Sequence, residues 1–188
     1  GDQFEQVDSR MIYGGSVEHR QTSHLGDRHL SQHYGVQVRY DDIRDVALYR
    51  TANLERLSTV RQDEVDEYSI GLFWSGELEL AQDLTGTVGL RYDYFDVDVD
   101  SDLAANSGDA SDNLASVKFG LNYQLNESVE LYTNAGQSFH SNDGRGATIT
   151  IDPVSGMPAE SVDLLVRGEG AEIGFRYHDN EHFNISAA

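Results

Sequence analysis

Four aspartates, Asp96, Asp98, Asp100 and Asp102, stand at every second position of one short run. Carboxylates are the oxygen ligands that calcium takes, which makes Asp96, Asp98 and Asp100 a candidate cation site. A helix–loop–helix calcium loop needs a glycine and a distal glutamate at set positions, and neither is in place here. The plainer reading is a solvated acidic strand end. His19, His24, His29 and His33 gather around one turn. Neutral imidazoles bind transition metals, but this spacing fits no compact motif, so surface histidines are the plainer reading. His140, Asn142, Asp143 and Arg145 open the longest link and are candidate ligand contacts. Against that stands ordinary loop chemistry: Asn142-Asp143-Gly144 is a strong turn signal, and Arg145 has Asp143 within reach. Arg39, Arg91, Lys118, Glu172 and Arg176 alternate with apolar neighbours and so occupy polar faces. No Gly-x-Ser-x-Gly elbow or His-Glu-x-x-His helix occurs. Nothing pairs two carboxylates on a defended site, so the expectation is no enzyme and no cofactor.

The elements that must carry these groups read as strands. The chain has 188 residues, 38% hydrophobic and 24% charged, which is too apolar and too patterned for disorder. Its 13 basic residues face 33 acidic ones. That balance argues against nucleic acid and suits a solvated surface or a cation-attracting polar lumen. With no cysteine, disulfides and Cys-based zinc sites are excluded. No apolar run approaches the ~20 residues of a transmembrane helix. No signal peptide opens the chain, which leaves a cytosolic protein or a piece of a longer one.

The dominant period is two. Tyr68, Ile70, Leu72, Trp74, Gly76, Leu78 and Leu80 share one face, against Ser69, Gly71, Phe73, Ser75, Glu77 and Glu79. A helix would put Glu77 and Glu79 inside its apolar stripe, whereas a strand with one apolar face keeps them apart. The pattern recurs weakly around Tyr13, then clearly around Val36, Val88, Phe119, Leu131 and Ile173, and restarts at Phe183 and Ile185. The apolar phase flips after Tyr94, which predicts a bulge or the exit from an apolar band.

Short turns are expected at residues 81–83, 125–128 and 178–181, with an intermediate link at 21–30. Longer links are expected at 51–57, 101–113 and 140–160. Alternating short and long links is the habit of transmembrane barrels, with short periplasmic turns and long outer loops. The strands around Val36 and Ile70 are expected to outrun the membrane, with polar extensions such as 42–50. Tyrosines cluster at the ends of apolar faces, as in the aromatic girdles of membrane barrels. The fold expected is all-β: an antiparallel up-and-down meander of seven to eight long strands, one partial barrel domain over residues 1–188.

One stretch is more specific than pattern. Residues 131–177 carry Phe139-His140-Ser141-Asn142-Asp143, Arg145-Gly146, Asp152-Pro153, Leu165-Val166-Arg167 and Gly170-Ala171-Glu172. Together with Leu84-Thr85-Gly86-Thr87-Val88-Gly89-Leu90-Arg91-Tyr92-Asp93 upstream, this resembles the barrel strands of TonB-dependent outer-membrane receptors. The resemblance implies a large plugged barrel of about 22 strands in the Gram-negative outer membrane. It implies uptake of a bulky nutrient such as an iron–siderophore complex. It also implies outer-membrane lipid, a plug domain, TonB and that nutrient as partners. Arg39, Arg91, Lys118, Glu172 and Arg176 would then face the lumen. The family's plug and TonB-binding segment have no counterpart in these residues. Two alternatives stay open: a soluble acidic β-sheet module for carbohydrate or calcium, and a small eight-stranded barrel that closes on itself. A β-sheet hydrolase domain is a more distant one. Open sheet edges and a bare apolar face predict that the isolated chain self-associates.

Overall fold

The computed structural model describes residues 3–179 and 183–188. Its strands are β1 Gln3–Leu25, β2 Arg28–Ala52, β3 Glu55–Ala81, β4 Leu84–Ser101, β5 Gly108–Asn126, β6 Val129–Ser141, β7 Leu165–His178 and β8 Asn184–Ala187. They form one sheet in chain order, β1 through β8, each antiparallel to the next. Among the described residues no ladder joins β1 to β8, so this is not an eight-stranded barrel closed on itself.

Cross-strand register explains the alternation. One row runs Tyr34–Trp74–Leu90–Val117, and another runs Val36–Leu72–Tyr92–Ala115. These rows share a face, and among the described residues no second sheet covers it. Leu72, Leu90 and Phe119 are 51%, 49% and 54% exposed. A continuous belt of half-bare leucine and phenylalanine across several strands is not a face that water-soluble monomers leave bare, and it fits hydrocarbon as its solvent. Tyr13, Tyr40 and Tyr68 lie in one cross-strand row at the edge of this belt, with Tyr13 and Tyr40 stacked 6.2 Å apart. The tyrosine ring suits that level because its body is apolar and its hydroxyl reaches water.

Three links are shorter than the sequence predicts. The first is the intermediate link at 21–30, which is a two-residue turn of Gly26 and Asp27 because β1 and β2 stay paired as far as Leu25–Arg28. The expected long link at 51–57 is a tight turn of Asn53 and Leu54, because β2 and β3 stay paired as far as Ala52–Glu55. Both turn residues have positive φ, 52° and 69°. Asparagine tolerates that region but leucine does not, and this turn therefore carries no glycine or proline signal. The expected long link at 101–113 shrinks to residues 102–107, with a 3-10 turn at Ala104–Asn106, because β5 begins at Gly108. The short turn expected at 178–181 falls partly on residues 180–182, outside the described residues. By contrast, β2 and β3 do reach 25 and 27 residues, well beyond the 9–11 or so that cross a membrane.

The phase flip after Tyr94 is an exit from the apolar band and not a bulge. Both ladders flanking β4 run through it without a register shift. Above the belt, the formerly polar face turns apolar: Ile43, Val46, Val65, Val97, Val99 and Leu164 form the only fully buried apolar cluster among the described residues. Leu164 belongs to the long link between β6 and β7. The core of this molecule therefore lies at one end of the sheet, under that link.

Candidate functional site

The β5–β6 ladder stops at Lys118–Gly136. Beyond it, β6 and β7 stay paired to Ser141–Leu165 and part company with β5. Three contacts bring this hairpin back over the polar face. The Phe139 ring meets Phe95 edge-on at 5.8 Å. The Leu165 amide donates to Asp112 Oδ2 at 3.1 Å. Arg167 Nη2 donates to the Ala115 carbonyl at 3.0 Å. The link of residues 142–164 then lies across the upper sheet as a roof.

Its residues explain its order. Asn142 closes the base: its amide donates to the Leu164 carbonyl at 2.8 Å and its Nδ2 to the Asp163 carbonyl at 2.7 Å. Asp143 caps the short helix α1 (Gly144–Thr148) by accepting from the Arg145 amide. Gly144 lies directly on Val97, where any Cβ would collide with the valine methyl. Asn106, wholly buried, holds the middle of the roof. Its Oδ1 accepts from the Thr150 and Ile151 amides, each at 2.9 Å, and its Nδ2 donates to the Ile151 carbonyl at 2.9 Å. One side chain thus replaces a strand partner for residues 150–151.

Beneath the roof lies a polar pocket of about 440 Å³ whose charged lining is Asp8, Arg10, Arg39, Asp41, Glu67, Asp143 and Arg145. Its arginines follow one rule: each pairs with an aspartate two residues away. Arg39 grips Asp41 through two hydrogen bonds of 2.7 Å. Arg10 pairs with Asp8 and Arg145 with Asp143, and beside the pocket Arg61 pairs with Asp63 in the same way. Lower on the same face, Arg91 grips Asp93 and also donates to Gln37 at 3.0 Å. On a strand, residues i and i+2 share a side, so a long guanidinium folds onto its neighbour carboxylate. Asp41, Asp63 and Asp93 are buried, so the pairing offsets charges that water does not reach, although among the described residues Asp63 keeps one oxygen, Oδ1, without a hydrogen-bond partner. Arg145 also reaches Asp63 at 3.6 Å and ties the roof to β3. Burial alone would raise the Asp143 carboxyl, but the hydrogen bonds and charge of Arg145 outweigh it and hold it below the ordinary range. The Arg145 guanidinium is held more firmly protonated by the same pair.

The sequence candidates divide. Asn142, Asp143 and Arg145 line the pocket, while His140 is exposed on β6 and takes no part in it. Arg39, Arg91, Lys118, Glu172 and Arg176 occupy the polar face. Arg176 pairs with Glu130 at 2.5 Å and lies over the Tyr132 ring at 4.3 Å. Glu172 accepts from Asn134 Nδ2 at 3.0 Å. Asp96, Asp98 and Asp100 stand on the opposite side, above the belt and facing out, spaced along a strand so that they cannot converge. The histidines split between faces: His33 meets Glu18 on the polar side, and His19 meets Tyr34 on the apolar side. Among the described residues no three such side chains form a metal cluster. Asn106, Asp41, Asp63 and Asp93 were missed. The repeated Arg-x-Asp and Asp-x-Arg spacing was the available signal for the aspartates; nothing local marks Asn106.

The model of the TonB dependent receptor-like β-barrel family matches residues 2–188. The chain belongs to that family. Such barrels sit in the outer membrane of Gram-negative bacteria. The chain superposes on the unliganded ferric citrate transporter FecA with a TM-score of 0.77 at 16% identity, covering 94% of this chain and 26% of that one. The ferric-catecholate import receptor Fiu of E. coli K12, in its open form, gives 0.66 at 14% identity, with 92% and 28% covered. The ferric yersiniabactin uptake receptor FyuA of Yersinia pestis gives 0.64 at 10% identity, with 94% and 27% covered. No curated protein matches the chain in sequence. The TonB-dependent receptor chain described here thus spans about a quarter of the length of these structures.

Proposed function

We propose that this chain is a wall segment of an outer-membrane receptor that takes up a bulky nutrient, an iron–siderophore complex being the leading class. The roofed polar pocket carries this reading. An ordered link that brings Asn142, Asp143 and Arg145 over a charged strand face suits contact with a large polar cargo at the mouth of a barrel. The names of the three superposed receptors, all of ferric complexes, support the class of cargo. In this reading the polar face is the lumen wall. Arg39, Arg91, Lys118, Glu172 and Arg176 face a plug domain, and TonB supplies the energy through other parts of the protein. The apolar belt meets outer-membrane lipid. His140, which is exposed and does not line the pocket, drops out of the ligand set proposed here.

The test is uptake of radiolabelled ferric complexes by a strain that lacks the gene, complemented or not, with and without TonB. Uptake of one ferric complex should require both the gene and TonB. Full uptake of every ferric complex in the deletion strain, with loss of a metal-free nutrient instead, would refute the cargo class.

A further inference from the structure

The apolar belt is not uniform. Near the short-turn end it opens into a groove of about 570 Å³ whose walls include Trp74, Leu78, Leu80, Phe119 and Leu121. Its floor lies where small residues, Gly76, Gly86, Thr133 and Ala135, interrupt two adjacent cross-strand rows. One row is Leu30–Leu78–Gly86–Leu121–Thr133, and the next is Gly76–Val88–Phe119–Ala135. The Trp74 ring lies over Gly76 and Leu80 leans on Gly86, which raises two ridges with a trough between them. From Leu80 to Trp74 is six residues, or about 20 Å along the strand. At the ~40° tilt of barrel strands this is about 15 Å of height, the depth of one leaflet's hydrocarbon.

One cation stands at the outer rim of this groove. Arg28 begins β2 two residues before Leu30 on the same face, opposite Leu25, and both leucines line the groove. Arg28 is exposed, and among the described residues its guanidinium makes no hydrogen bond or ion pair. The arginines of the roofed pocket are paired with aspartate. Among the described residues Arg20 and Arg50 are unpaired as well, but Arg20 stands on the polar face opposite His33 and Arg50 at the far end of β2, so Arg28 is the free guanidinium at this groove. A planar guanidinium at the level of lipid headgroups is matched to a phosphate, which it grips with two parallel hydrogen bonds. Short turns mark the periplasmic end of such barrels, so the headgroups at this level belong to the inner leaflet.

We propose that this groove is a binding site for a phospholipid of the periplasmic leaflet, with one acyl chain in the trough and the phosphate on Arg28. The proposal rests on the outer-membrane setting and is independent of the cargo.

The intact receptor, extracted from its own membrane into mild detergent and progressively delipidated, is weighed by native mass spectrometry, and the retained lipid is identified. The unaltered protein should hold a phospholipid after annular lipid is gone. Arg28→Glu should lower retained phosphatidylglycerol about tenfold, since it removes a charge-assisted bidentate contact and adds repulsion. Ala135→Phe fills the trough from the lipid side, where an apolar residue leaves folding intact. It should remove lipid of every headgroup. Heat-modifiable gel mobility checks that each variant remains a folded barrel. Equal lipid retention in all three proteins would overturn the proposal. So would a retained species that is lipopolysaccharide or a second copy of the receptor, or release of the bound lipid by inorganic phosphate alone. Ferric uptake is scored separately, so a receptor for another nutrient that still holds this lipid leaves the site standing.

Discussion

Replacing Asn106 by alanine should free the roof without unfolding the wall. The side chain is wholly buried and makes three hydrogen bonds to the backbone of residues 150–151, each at 2.9 Å. At roughly 1 kcal/mol net per hydrogen bond, their loss weakens docking by about 3 kcal/mol. Stranded amides add to that cost, while water reaching them once the link lifts limits it. A change of about 3 kcal/mol shifts an opening equilibrium roughly 100-fold. Hydrogen exchange of the intact receptor reads this directly: the amides of Thr150 and Ile151 should exchange about 100-fold faster, with β3 and β4 unchanged. Asn106→Asp keeps the acceptor but sets a second oxygen against the Ile151 carbonyl and buries a charge, so exchange at 150–151 should rise at least as much as in the alanine variant. Unchanged exchange at 150–151 in the alanine variant would refute the latch. An equal rise throughout β3, β4 and β5 would show instead that Asn106 supports the sheet.

Arg145→Ala leaves the buried Asp63 with only Arg61. It should weaken roof docking by about 2 kcal/mol, less than the 3–5 kcal/mol of a fully orphaned buried charge, and expose residues 144–160 to protease. Acid should act at the same place. Asp143 has a folded pKa below its ordinary value, so its stabilisation is complete above the ordinary range near 4 and is lost as pH falls through the folded value. Protection within 143–148, taken relative to the intrinsic exchange rate at each pH, should fall below about pH 4 and be flat from about pH 5 to 8. On the belt, Leu90→Arg should cost about 2–4 kcal/mol when the receptor folds into bilayers. Thr87→Arg, on the polar face of the same strand, should cost far less in the same urea titration. The chain expressed alone has β1 and β8 as open edges, and sedimentation should find it associated.

Much of this fold could be read from period alone because a strand with two different solvents on its faces must alternate. The segment from Tyr68 to Leu80 is the clearest case. Hydrocarbon on one side and polar lumen on the other leave no freedom in register, since a slip of one residue would invert every side chain. The signal failed where that contrast ends. Above the tyrosine row water lies outside, and the inner face is covered by the roof. The apolar residues therefore change sides at Phe95, Val97 and Val99 with no kink in the strand. The same loss of contrast hid how tight the turn at Asn53 and Leu54 is, since it carries no glycine or proline and only Asn53 as a turn signal. Asn142, Asp143 and Arg145 stood out as turn chemistry and proved to build the roof. Asn106 did not stand out, because its partners at 150 and 151 are more than forty residues away and are backbone groups.

The Arg-x-Asp pairs bear on how a polar wall can exist before anything fills it. A lumen lined by isolated charges would depend on its contents for neutralisation, and the empty barrel would hold desolvated ions at a cost of several kcal/mol each. Here the charge and its partner come from one strand face, two residues apart, so Arg39, Arg61 and Arg91 are satisfied as soon as the strand forms. The wall can then fold independently of a plug or a cargo. Lys118 and Glu67 break this rule: among the described residues neither makes a hydrogen bond or ion pair. They lie on the same face, Lys118 where β5 and β6 separate and Glu67 in the roofed pocket. With Arg20, Glu77 and Glu79 nearer the short-turn end, these groups, and not the self-paired arginines, are where the wall's charge remains open to whatever occupies the lumen. Lys118→Met should leave the barrel's stability nearly unchanged while altering how tightly its contents are held. Arg91→Met should do the reverse, stranding the buried Asp93 at a cost of about 3–5 kcal/mol in the urea titration. Equal destabilisation by the two substitutions would refute the distinction between self-paired and open charges.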